Sequence, residues 1–162
     1  MDDMEITYTA IGTIHTPFTD LSDMPIQPTG DTSAPGTVHL DPRLTPALKD
    51  LDGFSHVILV YHFHRSKRVD LTVTPFMDSV PRGVFATRAP TRPNPIGISV
   101  VELRGVEGNI LQLGNVDILD GTPLLDIKPY VAKFDAPQDA RAGWLEDSGM
   151  DVRKARSDDR FK

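Results

Sequence analysis

The 162-residue chain contains no cysteine. That removes disulfides, thiolate metal sites and a cysteine nucleophile, and it fits a reducing compartment. Long apolar runs are missing as well, since nothing approaches the roughly 20 consecutive apolar residues that a spanning helix needs. The N-terminus, Met1-Asp2-Asp3-Met4-Glu5, is acidic where a secretory leader would be basic. These absences read as a soluble, cytoplasmic protein with no membrane association. No G-x-G-x-x-G turn is present, which disfavours a Rossmann-type dinucleotide site. Basic residues are outnumbered, 17 Lys and Arg against 23 Asp and Glu, and a net charge of −6 argues against a general nucleic-acid binder.

What basic charge there is lies together. Between His62 and Arg92 stand Arg65, Lys67, Arg68, Arg82, Arg88 and Arg92 against only Asp70 and Asp78. An acidic body with one basic face can steer an anionic partner to that face. Inside this region runs the most unusual stretch of the chain, Gly83-Val-Phe-Ala-Thr-Arg-Ala-Pro-Thr-Arg-Pro-Asn-Pro-Ile-Gly97. Proline fixes φ and restricts the residue before it, so Pro90, Pro93 and Pro95 stiffen the segment before any ligand arrives. It can therefore hold Arg88, Arg92 and Asn94 at set positions, the arginines offering planar donor forks to carboxylate or phosphate. Its plainer reading is a Pro-rich surface turn with solvated arginines.

Short β-branched runs separated by turn residues dominate the rest. Residues 6–16 read as a first strand, 17–36 as a long loop, 37–40 as a short strand and 44–51 as a brief helix started near Pro46. Residues 54–63 form an apolar run expected of a central strand covered on both faces. Strands are also expected at 71–74, 83–87, 98–106, 110–119 and 124–130, with Asp120-Gly121 as a tight hairpin turn before the last. One short helix is expected within 137–146 and a peripheral, highly charged tail after it. The predicted fold is mainly β, a barrel of short strands with one or two short helices, forming a single domain over 1–162 with its core at about 6–135.

Asp126, Lys128 and Tyr130 occupy alternate positions and share one strand face. As a catalytic group, Asp126 would accept a proton while Lys128 or Tyr130 orients it; as a solvated outer face they would look the same. Asp120 already has a turn to make. His62 and His64 also share a face, but no third ligand is suggested nearby, and the chain is read as metal-free.

The Gly83–Gly97 stretch, together with Asp117-Ile-Leu-Asp-Gly-Thr-Pro-Leu-Leu-Asp-Ile-Lys-Pro-Tyr130 and the earlier Phe54-Ser-His56, resembles the TsaA-like family in residues, order and spacing, over about residues 11–130. The resemblance implies a TsaA-like β-barrel that binds S-adenosyl-L-methionine and pairs as a homodimer with the cofactor near the interface. It implies methyl transfer to N6 of threonylcarbamoyladenosine at position 37 of tRNA. It also implies cofactor contacts from Pro25, Ile26, Gln27, His64, Arg65, Arg88, Ile98, Val116, Asp117, Ile118 and Leu119, while Arg92 and Asn94 suit the carboxylate and phosphates of the acceptor. Alternatives are a methyltransferase of a non-RNA acceptor and a non-catalytic module that binds S-adenosylmethionine or RNA.

Overall fold

A computed structural model of the chain describes residues 2–23, 34–76 and 78–147. Its strands are β1 (Gly12–His15), β2 (Pro35–Leu40), β3 (His56–His62), β4 (Thr72–Val73), β5 (Arg82–Gly83), β6 (Ile96–Glu107), β7 (Ile110–Gly114) and β8 (Thr122–Pro129). Six of them close into a barrel in the order β1-β2-β7-β6-β3-β8, every neighbouring pair antiparallel, while β4 and β5 form a separate two-stranded ribbon. The expected barrel is what forms. No described helix is long and apolar enough to cross a membrane.

β3 forms on the expected apolar run and lies between β6 and β8, but in a closed barrel every strand has two neighbours and none is central. It is not covered on both faces. Val57, Leu59 and Tyr61 point into the barrel and are buried, whereas Ile58 and Val60 on the alternate positions keep partial exposure. A barrel wall has one interior only, and this one packs Ile14, Val38, Val57, Leu59, Val101, Leu111, Leu113, Val116, Ile118 and Leu124 into a single cluster.

Several element boundaries depart from the sequence expectation for identifiable reasons. The first strand is confined to Gly12–His15, and residues 2–10 are exposed. β1 covers β8 only from Thr122 to Leu124. Beyond that point the Ile127 amide donates to the Asp126 carboxylate at 2.9 Å and Pro129 has no N–H, so no template extends the pairing. The expected helix at 44–51 is a 3-10 segment at Pro42–Leu48, capped by Asp41 and carrying Pro46, followed by a second at Leu51–Gly53. The expected strand at 83–87 becomes the end of β5 and a 3-10 turn at Val84–Ala86. β7 stops at Gly114 because Asn115 adopts a φ of 57° and turns the chain inward.

Asp120-Gly121 is a turn but not a tight hairpin, since β7 and β8 are not neighbours; Gly121 N instead bonds Ile14 O across the barrel end. The tight hairpin lies at Gly108-Asn109, between the paired Glu107 and Ile110, with Gly108 at φ 60°. The helix expected at 137–146 is replaced by a single turn, α1 (Ala132–Asp135), and a 3-10 segment at Gly143–Asp147.

Candidate functional site

The proline-rich stretch folds over its own small core of Val73, Val84 and Ala89, with Phe76 against it. Backbone groups then tie it to the chain leaving β3. Phe63 N bonds Pro95 O at 2.7 Å, Ser66 Oγ bonds Pro90 O at 3.0 Å, and Asp70 N bonds Thr91 O at 2.9 Å. The turn carrying His64 and Arg65 is thereby stitched to the loop carrying Arg88, Arg92 and Asn94, so the structure brings these five residues into one region.

The two arginines of the loop do different work. Arg92 Nη1 donates to the carbonyls of Thr87 at 2.9 Å and Ala89 at 3.1 Å, and its guanidinium lies over the Phe85 ring. It is a clasp that holds the loop in shape. Arg88 is exposed and makes no hydrogen bond or ion pair among the described residues. Truncating Arg92 to Ala should cost about 1–2 kcal/mol, because a charged donor to two carbonyls is lost, and should speed amide exchange at Ala89. Unchanged exchange would remove the clasp.

Arg88 sits within electrostatic reach of a polar chain inside the barrel. Tyr61 Oη and Ser99 Oγ are 2.8 Å apart, and Ser99 Oγ donates to Asp117 Oδ1 at 2.6 Å. Burial pushes the Asp117 carboxyl up to about 6, with the Ser99 hydrogen bond and the Arg88 charge pulling the other way. Burial likewise pushes the Tyr61 hydroxyl up, and the negative charge of Asp117 adds to it. His64 is held below its ordinary range, first by burial and then by Arg65 and His62.

Other expected site residues fall elsewhere. Val116 and Ile118 are fully buried in the barrel core and Leu119 is nearly so; they fix Asp117 between them. Ile98 is 51% exposed on the outer face of β6, opposite Val60. Asp126, Lys128 and Tyr130 do share a face, and it is the outer one, in line with Val60, Ile58 and His56. There Asp126 pairs with Lys128 at 2.7 Å while its other oxygen takes the Ile127 amide, and Tyr130 packs edge-on to His56. Pro25, Ile26 and Gln27 lie outside the described residues. No group of three His, Asp or Glu gathers as metal ligands among the described residues.

Sequence reading missed Ser99 and Tyr61. Their signal was present, a polar side chain at an inward position of a strand whose other inward positions are apolar. Thr91, in the loop, is another buried polar residue, its hydroxyl without a hydrogen-bond partner among the described residues.

The closed antiparallel barrel thus presents the exposed Arg88 guanidinium on a braced loop, within electrostatic reach of the Asp117 carboxyl, and a planar donor fork of that kind suits an anionic group. Residues 13–136 match the tRNA-methyltransferase O N-terminal domain family, and the chain belongs to it. A probable S-adenosyl-L-methionine-binding protein of Pyrococcus abyssi is 55% identical over 156 residues, 96% of this chain and 85% of that one. The tRNA (adenine(37)-N6)-methyltransferase of Escherichia coli is 38% identical over 146 residues, 84% of this chain and 62% of that one. A crystal structure of TrmO superposes with a TM-score of 0.77 at 45% identity, covering 87% of this chain and 64% of its own. The chain thus spans somewhat under two thirds of that solved structure.

Proposed function

We propose that the protein is an S-adenosyl-L-methionine-dependent methyltransferase acting in the cytoplasm on N6 of threonylcarbamoyladenosine at position 37 of tRNA, as a homodimer. The observation that carries this is the family match over residues 13–136 together with the exposed Arg88 on the motif loop. The donor set suits the cofactor: a guanidinium with no hydrogen bond or ion pair among the described residues for a carboxylate, and exposed apolar surface at Ile96, Ile98 and Phe85 for a purine face. When bound, S-adenosylmethionine supplies an activated methyl group on a sulfonium, so the protein's share is binding, alignment and proton management.

Arg88 binds the methionine carboxylate, and His64 and Arg65 border the same end. Ile98 offers the adenine an apolar wall on the outer face of β6. Val116, Ile118 and Leu119 serve from below by backbone groups and by holding the segment in place. Arg92 shapes the loop, and Asn94 at its exposed crest meets the acceptor. Asp126, Lys128 and Tyr130 lie on the same outer face, two strands over from Ile98.

The test is incubation of purified protein with isotopically labelled cofactor and tRNA from cells lacking the gene, followed by nucleoside analysis. Label is expected in N6-methylated threonylcarbamoyladenosine. Small-metabolite pools run in parallel separate a non-RNA acceptor, which the acidic body with its net charge of −6 favours, and label there but not in tRNA would overturn the assignment. Cofactor binding without transfer to either would identify a sensor.

A further inference from the structure

The proton that must leave N6 needs an acceptor. Asp126, the candidate read from the sequence, has one oxygen on the Ile127 amide and the other on Lys128, at the protein surface. Asp117 is placed differently. It stands at the inward turn after β7, flanked by fully buried Val116 and Ile118, and Ser99 on β6 holds its Oδ1 while Tyr61 on β3 holds Ser99. The charged and titratable groups facing it are Tyr61 from the wall and Arg88 from the loop. Two strands, the segment after β7 and the motif loop thus converge on one carboxylate, which is how a group is held for proton transfer rather than for solubility.

We infer that Asp117 is the proton acceptor of the methyl transfer, with Ser99 and Tyr61 as the residues that position it; the inference rests on the function proposed above. In the step, the N6 lone pair forms the bond to the methyl carbon while the carbon–sulfur pair departs with sulfur. The N6–H proton passes to the Asp117 carboxylate, its bonding pair staying on nitrogen, and is later released to solvent. The elevated affinity of Asp117 for a proton suits the task, because a base whose pKa lies near the working pH both captures and releases.

Three measurements test it. The first needs no turnover: titration of the Asp117 carboxyl in cofactor-free protein, by carbon-13 NMR, should give a midpoint near 6. Ser99→Ala should move it upward, since the Ser99 hydrogen bond favours the charged form. The second is Asp117→Asn, which keeps an oxygen for Ser99. At saturating cofactor, with the affinity of the variant measured by calorimetry, its kcat should fall about 10²- to 10⁴-fold.

The third is the pH profile, where kcat/KM should rise through about 6 in the parent and through a higher pH in Ser99→Ala. Parent activity with an Asp117→Asn variant within tenfold of it would overturn the inference and leave the function standing. Weakened cofactor binding with kcat preserved at saturation would make Asp117 a cofactor ligand only. A parent that transfers no methyl to tRNA overturns both.

Discussion

Replacing Gly97 by Ala should destabilise the protein by about 1–3 kcal/mol and lower its Tm by roughly 3–10 °C, the cost of forcing extra volume into a packed interior. Gly97 sits on β6 directly opposite Tyr61, and a β-carbon there meets the rings of Tyr61 and Phe63. Those rings cannot simply swing aside. They already pack edge to face with centroids 5.5 Å apart, Tyr61 is 6% exposed, and its hydroxyl is tied to Ser99. The added methyl is therefore accommodated by moving Tyr61, and the damage reaches the site, with the Ser99–Asp117 hydrogen bond disturbed as well as the core. Gly83→Ala is the matched control: Gly83 has a φ of −58° and an added methyl would meet nothing within 4 Å, so its stability should stay within about 0.5 kcal/mol. Equal melting temperatures for the two variants would show that the ring stack is slack.

How far the sequence foretold all this follows from the range of the forces involved. β3 was legible because its apolar run is local, but the assumption of two covered faces failed: the run lines a barrel whose outer face keeps Ile58 and Val60 only partly covered. The short extent of β1 was illegible because it is set by β8, more than a hundred residues away, through the capped Ile127 amide and the missing N–H of Pro129. Asp120-Gly121 announced a turn, yet which strands it joins depends on barrel closure, a property of the whole chain. The site shows the same division. Arg88 was legible inside a proline-fixed motif, whereas Ser99 to Asp117 and Tyr61 to Ser99 are contacts across 18 and 38 residues that no spacing rule connects. Arg92, equally visible in the motif, turned inward to its own backbone, and only the folded loop could separate a clasp from a ligand-binding arginine.

Arg88→Ala should weaken S-adenosylmethionine binding about 10- to 150-fold, which corresponds to losing a charge-assisted hydrogen-bonding partner worth about 1.5–3 kcal/mol. The same change should leave folding stability within about 0.5 kcal/mol, because Arg88 is exposed and holds no other described residue by a hydrogen bond or ion pair. That combination, large on binding and nil on stability, is the reverse of what Arg92→Ala should give, so the pair of variants separates the two roles within one loop. Arg88→Lys should recover only part of the affinity, since an ammonium keeps the charge and loses the planar fork. A second consequence can be read without any ligand. The Arg88 charge favours ionised Asp117, so its removal should move the Asp117 midpoint above 6, toward the range where a carboxyl stays protonated at neutral pH. Turnover at saturating cofactor should then fall below that of the parent near pH 6 and recover as pH rises. Should cofactor affinity and the Asp117 midpoint both stay put, Arg88 is only a solvated charge, and the cofactor's carboxylate must be held by other groups.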